Sequence, residues 1–333
     1  MSEMVRRPIP HSATTLGDAE VEAAARVLRS GHLSQGSEVA SFEEECAAVV
    51  GRRHAVALNS GTSALHLALG ALGVEDGETV AVPSYGCASL ITAVRLQRAE
   101  PSLCDIGEAL TLDSRAVPVS CRVSIQAHLF GARGPMPAGT VIEDIAQSFG
   151  GTTGRTGQIA VASFYATKLL TTGEGGVILT DDEGVAEFVR DRRDYDNRND
   201  FVGRYNYKLT DLQAAIGRVQ LQRLPSFLER RREIALAYHD AFRGLPVAVP
   251  DPADHVFFRY VLRTERRDAL EAHLHRSGIE AKRPVYRPAH HYLGGEYPNS
   301  ERAHRECLSL PIYPSLIDAE ARHVIDSVCR FFE

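Results

Sequence analysis

Nothing in this chain marks it for a membrane, an oxidising compartment or a nucleic acid. It has no C-x-x-C pair: Cys46, Cys87, Cys104, Cys121, Cys307 and Cys329 are scattered, which reads as reduced thiols and leaves no zinc-ligand spacing, so no metal is expected. No apolar run is long enough to span a bilayer, and the first residues lack an apolar signal core. The expected location is the cytoplasm. Positive charge is not in excess, and a formal net charge of -6 argues against electrostatic binding of nucleic acid. Internal repeats and low-complexity tracts are absent as well. What remains is an ordinary globular composition, 44% hydrophobic and 24% charged over 333 residues, enough chain for one large and one smaller domain.

The order of the apolar segments indicates the fold class. Helical spacing over Asp18 to Ser30 and from Ser37 to Gly51 is followed by short apolar strands at Ala55–Leu58, Thr79–Val82, Pro101–Cys104, Val123–His128, Val141–Asp144, Ile159–Tyr165 and Gly176–Thr180. Helical or short linking stretches separate them. Strands that are apolar throughout predict a mostly parallel α/β sheet covered on both faces. Ligands bind such sheets outside the carboxyl ends of the strands. Asn59-Ser60-Gly61-Thr62-Ser63, His128, Asp144 and Lys168 all fall at or just after those ends.

Each of these positions has a specific chemistry and a plainer alternative. Between a strand and the helix from Ala64 to Leu72, the small residues Ser60 to Ser63 would leave first-turn amides and hydroxyls facing an anion such as a phosphate. The same residues would also serve as an ordinary helix cap. Asp144 reads as a functional carboxylate or as a cap. Lys168 sits between an apolar run and the glycine-rich turn Gly173-Glu174-Gly175-Gly176. Enclosed there, it would lose hydration and favour its neutral amine, which can condense with a carbonyl; a surface loop would instead let its head snorkel to water. The glycines from Gly150 to Gly157 match no dinucleotide fingerprint.

Beyond the lysine, Asp194 to Tyr207 forms a long charged and aromatic loop without periodicity, more often functional than idle. Thr210 and Gln213 form a capping-box pattern opening a helix. After Pro225 a further long helix is expected to reach Gly244. From Val256 the pattern predicts a small α+β region, with extended segments at Phe257–Leu262 and Ala281–Tyr286, a helix at Ala269–Arg276, and a last helix at Asp318–Phe332.

Four motifs taken together are specific: Asn59-Ser60-Gly61-Thr62-Ser63-Ala64-Leu65; Val141-Ile142-Glu143-Asp144-Ile145-Ala146-Gln147-Ser148-Phe149-Gly150; Ser163-Phe164-x-x-x-Lys168 with Thr172-Gly173-Glu174-Gly175-Gly176; and Asn206-x-x-Leu209-x-Asp211-Leu212-Gln213-Ala214-Ala215. In this order, over about Gly31 to Pro314, the chain resembles the DegT/DnrJ/EryC1/StrS family of pyridoxal-phosphate sugar aminotransferases. The resemblance implies the type I (aspartate aminotransferase-like) fold, with a large seven-stranded sheet domain over 1–224, and a linking helix and small C-terminal α+β domain over 225–333. It also implies a homodimer with shared sites that moves an amino group from glutamate or glutamine to a keto group of a nucleotide-linked sugar or cyclitol, in amino-sugar or secondary-metabolite biosynthesis.

Carried over by position, Lys168 resembles the lysine that holds the cofactor covalently, and Asp144 the partner of its pyridine nitrogen. Gln147 would lie near the ring hydroxyl, and Thr62, Ser63 and Ser163 would grip the phosphate. Asn206 would reach that phosphate from the partner subunit. Lys208 stands where the family often has arginine and would contact a substrate carboxylate or phosphate at a single point, and Tyr286 and His290 fall in the stretch near the acceptor. Cys87 occupies the usual place of the ring that stacks on the cofactor, with Tyr85 two residues away as the alternative. A deoxygenating dehydratase branch carries histidine in place of the lysine, so Lys168 argues against it. A noncatalytic member would not need Lys168, Asp144 and Ser163 together. Decarboxylation or desulfuration stays open for the cofactor, although no cysteine pair supports the latter.

Overall fold

In a computed structural model, residues 8–333 are described; the first seven residues of the expected large domain lie outside them. Along the chain come α1 (Asp18–Ser30), α2 (Ser37–Val50), β1 (His54–Leu58), α3 (Gly61–Ala71), β2 (Thr79–Pro83), α4 (Ser89–Leu96), β3 (Glu100–Cys104), β4 (Val123–Ala127), β5 (Thr140–Asp144), β6 (Ile159–Ser163), β7 (Gly176–Thr180) and α5 (Glu183–Arg192). After α6 (Asp211–Phe242) follow β8 (Tyr260–Arg263), α7 (Arg267–Arg276), α8 (His290–Leu293), α9 (Pro298–Glu306), β9 (Cys307–Leu310) and α10 (Asp318–Phe332).

Seven strands make one sheet in the order β1-β7-β6-β5-β4-β2-β3. Only β7 runs against the others, antiparallel to β1 on one side and β6 on the other. The carboxyl ends of the remaining six therefore open on a single edge. Both faces are sealed, as the uninterrupted apolar strands require. Val56, Val82, Ile125, Ile142, Val161 and Ile178 pack with Leu65, Leu69, Leu90 and Val94 from α3 and α4 on one face. On the other, Ala57, Ala162, Val177 and Leu179 meet Val39, Phe42 and Cys46 of α2 and Leu221 and Leu224 of α6. Burying each Val, Leu or Ile contributes about 1.5–3 kcal/mol, so the strands are held by their covering helices as much as by their ladder.

A separate core joins the end of α6 (Ile234, Tyr238, Phe242) to Tyr260, Leu262, Leu270, Leu274, Leu308, Leu310, Val324 and Val328. The two-stranded sheet β8-β9 lies here. The helix break expected at Pro225 does not occur, since α6 is continuous for 32 residues with Pro225 inside. An interior proline costs about 3 kcal/mol. It is tolerated because α6 is packed on either side of it, by Leu221 and Leu224 in the sheet core and by Ile234 and Tyr238 in the second core. Thus the expected 224/225 division falls within a single helix.

Two extended segments differ from expectation. The strand expected at Phe257–Leu262 starts only at Tyr260, because Phe257 sits at φ 51° with its amide donating to His255 Nδ1 at 2.8 Å. Ala281–Tyr286 forms no strand beyond an isolated bridge of Lys282 to Ser309, and β9 takes the place beside β8. Among the described residues no helix is long and apolar enough to cross a membrane.

Candidate active site

At the open edge, five strand ends deliver side chains to one cavity of about 240 Å³. Ser60, Gly61 and Thr62 arrive from the turn after β1, Cys87 from the turn after β2, and His128 from the end of β4. Asp144 closes β5, Ser163 closes β6, and Lys168 stands on the turn that follows. Gln147, Leu129, Tyr165 and Glu174 also line it.

The start of α3 shows how the local sequence builds an anion site. Ser60 caps the helix with Oγ accepting from the Ser63 amide at 3.1 Å, and the Ser63 hydroxyl donates to Asn59 Oδ1 at 2.7 Å. Both side chains are used to brace the turn. The amides of Gly61 and Thr62 find no acceptor among the described residues, and these unpaired first-turn donors at the positive end of the helix dipole face the cavity. A side chain at Gly61 would put its Cβ 2.8 Å from Ser163 Cβ, so only glycine lets the helix start lie against the end of β6. Ser63, expected at the phosphate, is buried behind Ser60 and is not part of the cavity wall.

Asp144 and Lys168 oppose each other electrostatically. One Asp144 oxygen accepts from the Ala146 amide at 3.0 Å; the other has no partner among the described residues. Burial raises its carboxyl above the ordinary range, against the pull of that amide and of Lys168 and His128. Lys168 is partly exposed by area, yet its amine is crowded enough that desolvation lowers its pKa despite the field of Asp144, and Arg259 pushes the same way. The turn after β6 places Lys168 in the cavity wall, partly exposed.

Behind them lies a network that the motifs alone did not reveal. Glu143 is buried on the opposite side of β5 from Asp144, and it accepts from the amides of Gly154 (2.8 Å), Thr156 (2.7 Å) and Gly157 (2.6 Å). The His128 ring shares that carboxylate at 2.9 Å. The Gly134 amide donates to His128 Nδ1 at 3.1 Å, so Nε2 carries the proton that goes to Glu143. Burial pushes the Glu143 carboxyl up, but the bonds from His128, Gly157 and Gly154 outweigh it and hold it at about 2. The result is a histidine locked in one tautomer on the cavity wall. The only signal for it in sequence was its place at a strand end. Gln147 is half committed: its oxygen accepts from the Phe130 amide at 2.7 Å, leaving its NH2 group for the cavity.

Several expected residues are not brought to this wall. Tyr85 is fully buried, edge-on to Phe130 at 6.3 Å, in a cluster with Ile106 and Leu110. It cannot stack on a ligand here, whereas Cys87 is exposed and lines the cavity. Lys208 is held by Asp194 at 2.5 Å and Asp196 at 3.3 Å. Tyr286 is 91% exposed, and His290 is buried against Glu301 at 3.1 Å. Asn206 is exposed, with only its carbonyl engaged, by Asn59 Nδ2 at 3.2 Å. Its loop is anchored at the far end as well as at Thr210, since the amides of Tyr205 and Tyr207 donate to the Arg192 and Arg193 carbonyls.

Comparison with known proteins places this geometry in a family context. Residues 14–329 match the DegT/DnrJ/EryC1/StrS aminotransferase family. The chain is 36% identical to dTDP-3-amino-3,4,6-trideoxy-alpha-D-glucose transaminase of Streptomyces venezuelae, covering 95% of this chain and 93% of that protein. It is 32% identical to the spore coat polysaccharide biosynthesis protein SpsC of Bacillus subtilis, with 96% of each chain covered. Among solved structures, S. venezuelae DesV superposes with a TM-score of 0.89 at 35% identity over 94% of both chains.

Proposed function

The chain belongs to the DegT/DnrJ/EryC1/StrS aminotransferase family, and from that premise we propose that it aminates a keto group on a nucleotide-linked sugar or cyclitol, taking nitrogen from glutamate or glutamine. It is a pyridoxal-phosphate-dependent aminotransferase. The observation that carries the reading is the convergence of Lys168, Asp144 and the unpaired amides of α3 on one cavity. The nucleotide-sugar substrate of the S. venezuelae transaminase, named for its dTDP-linked sugar, supports the acceptor class.

The residues present fit the cofactor. The free amides of Gly61 and Thr62, with the hydroxyls of Thr62 and Ser163, would hold its phosphate. The unpartnered oxygen of Asp144 would face its ring nitrogen, and the free NH2 of Gln147 its ring hydroxyl. Pyridoxal phosphate, when bound, supplies an electrophilic carbonyl for amines and an electron-withdrawing ring. The carboxylate of Asp144 would keep a proton on that ring nitrogen. Lys168, whose pKa burial lowers, carries the amine that would take and return a proton at the carbon bearing nitrogen. His128, fixed by Glu143, forms part of the cavity wall.

The six cysteines are unbridged, in keeping with a reducing cytoplasm. The exposed Asn206, outside its own cavity wall, and the neighbouring exposed Phe201 and Tyr205 support a homodimer in which this loop completes the partner's site. Purified protein should bind pyridoxal phosphate as a yellow species that borohydride bleaches, with the label on Lys168 after peptide mapping. A label on Lys208 or Lys282, or no colour with added cofactor, would end the assignment. A panel of keto sugars and keto cyclitols with glutamate, read by mass spectrometry, identifies the acceptor.

A further inference from the structure

Three basic side chains converge on the segment Phe257-Phe258-Arg259, and neither of the two arginines among them has an acid partner among the described residues. Among the described residues, no carboxylate lies within 4.0 Å of Lys168, Arg231 or Arg259. Arg231 is spent on the backbone: its Nη1 donates to the carbonyls of Phe257 (3.2 Å), Phe258 (3.2 Å) and Ile312 (2.9 Å). That fixes the turn ahead of β8. Arg259 is different. Its Nη1 lies 2.7 Å from His11 Nδ1 and 3.2 Å from Nε2, the nearer nitrogen being the acceptor, while Nε and Nη2 have no acceptor among the described residues.

His11 cannot neutralise it. The His11 Nε2 lies 2.9 Å from the Ser309 hydroxyl of β9, so with Nδ1 accepting from arginine, Nε2 carries the only ring proton. Burial, followed by the fields of Arg259 and Lys282, lowers the His11 pKa to about 3. A neutral imidazole thus orients a fully charged guanidinium and leaves one of its donor edges open. An interior cation without a counter-charge is costly unless a partner arrives. A planar guanidinium with two free N–H groups suits a carboxylate, which it can grip in bidentate fashion.

The place is right for a substrate. Lys168 Nζ lies 5.5 Å from the centroid of the Phe258 ring and the Arg259 guanidinium carbon 4.9 Å from the same centroid; the two basic groups are therefore within about 10 Å of each other. The segment bearing His11 is also tied to the lysine turn, since the Thr14 hydroxyl donates to the Ala166 carbonyl at 2.8 Å. From these contacts we infer that Arg259, presented by His11, is the receptor for a carboxylate of the amino-acid donor, an inference that rests on the aminotransferase reading above. The donor's amino group must reach the position of the Lys168 amine, and a carboxylate of glutamate or glutamine lies within that span.

The test uses the holoenzyme with glutamate, with glutamine, and with glutarate as a non-reacting dicarboxylate. In Arg259→Ala, the half-saturating glutamate concentration for the absorbance change of the donor half-reaction should rise about 10- to 100-fold. Calorimetric binding of glutarate should be lost and the dissociation constant of pyridoxal phosphate unchanged. Equal weakening for glutamate and glutamine assigns the α-carboxylate; weakening for glutamate alone assigns the side-chain carboxylate. Arg259→Lys should fall between, keeping the charge and losing the fork. His11→Asp is the decisive control: it gives Arg259 a permanent counter-ion, so the melting temperature should hold or rise while donor and glutarate binding fall. A structural arginine would show the opposite, with donor binding intact in His11→Asp. Unchanged glutamate saturation in folded Arg259→Ala, or loss of cofactor affinity matching the loss of glutarate, overturns the inference. If the wild-type holoenzyme gave no half-reaction with any amino acid, the aminotransferase reading would fail. Glutarate binding in wild type against Arg259→Ala would then still decide the role of Arg259.

Discussion

Replacing Glu143 with glutamine perturbs the network behind the cavity without replacing any residue of its wall. The glutamine oxygen can still accept from the Thr156 and Gly157 amides, which now share Glu143 Oε1. Its NH2 group, however, meets two other donors, the Gly154 amide and His128 Nε2–H, which now share Oε2. A donor facing donors in a buried site forfeits both bonds. The magnitude follows from the carboxyl itself. Held at about 2 against an ordinary 4.5, and almost wholly buried, it corresponds to roughly 3 kcal/mol at neutral pH. For a chain of this size that lowers the melting temperature by about 4 °C. The sign of the pH dependence is fixed by the depressed pKa: the stabilisation is complete above the unfolded value near 4.5 and fades as pH falls toward 2. Melting curves of wild type and Glu143→Gln should thus be separated by a constant gap from pH 8 to 6, closing in acid. A gap under about 1 °C at neutral pH, or one that does not narrow below pH 4.5, refutes the reasoning.

Asp144→Asn should keep the cofactor but slow amino transfer by orders of magnitude, because the anion that holds a proton on the ring nitrogen is gone, while Asp144→Glu should be milder; near wild-type turnover of the asparagine variant would reduce Asp144 to a cap for the Ala146 amide. Gly61→Ala should weaken cofactor binding about tenfold or more, since its Cβ would press on Ser163 at 2.8 Å and part the helix start from β6; cofactor titration at wild-type affinity would show that the phosphate lies elsewhere. Subunit exchange between Lys168→Ala and Asn206→Ala proteins should restore activity above either parent, because one site of the heterodimer escapes both lesions; no recovery, with exchange demonstrated and the Asn206→Ala parent clearly impaired, would place Asn206 in its own subunit's site.

The sequence by itself determined what depends on local order. Uninterrupted apolar strands between amphipathic helices dictated a covered, mostly parallel sheet, and the small residues after β1, the aspartate ending β5 and the lysine after β6 were readable because a parallel sheet puts every strand's carboxyl end on one edge. The tertiary structure decided whatever depends on which face a side chain takes and what packs behind it. Tyr85 and Cys87 are two residues apart, and only the packing around Ile106 and Phe130 sends the ring inward and leaves the thiol at the cavity. Pro225 reads as a break until two cores grip the helix on either side of it. Lys208 reads as a substrate contact until Asp194 and Asp196 are seen to hold it. His11 and Arg259, separated by most of the chain, carry no local pattern at all; their bond exists because β9 places Ser309 under the N-terminal segment. Spacing along a chain encodes periodicity and strand ends, whereas the pairing of distant polar groups is set by a fold that only the summed burial of both cores selects.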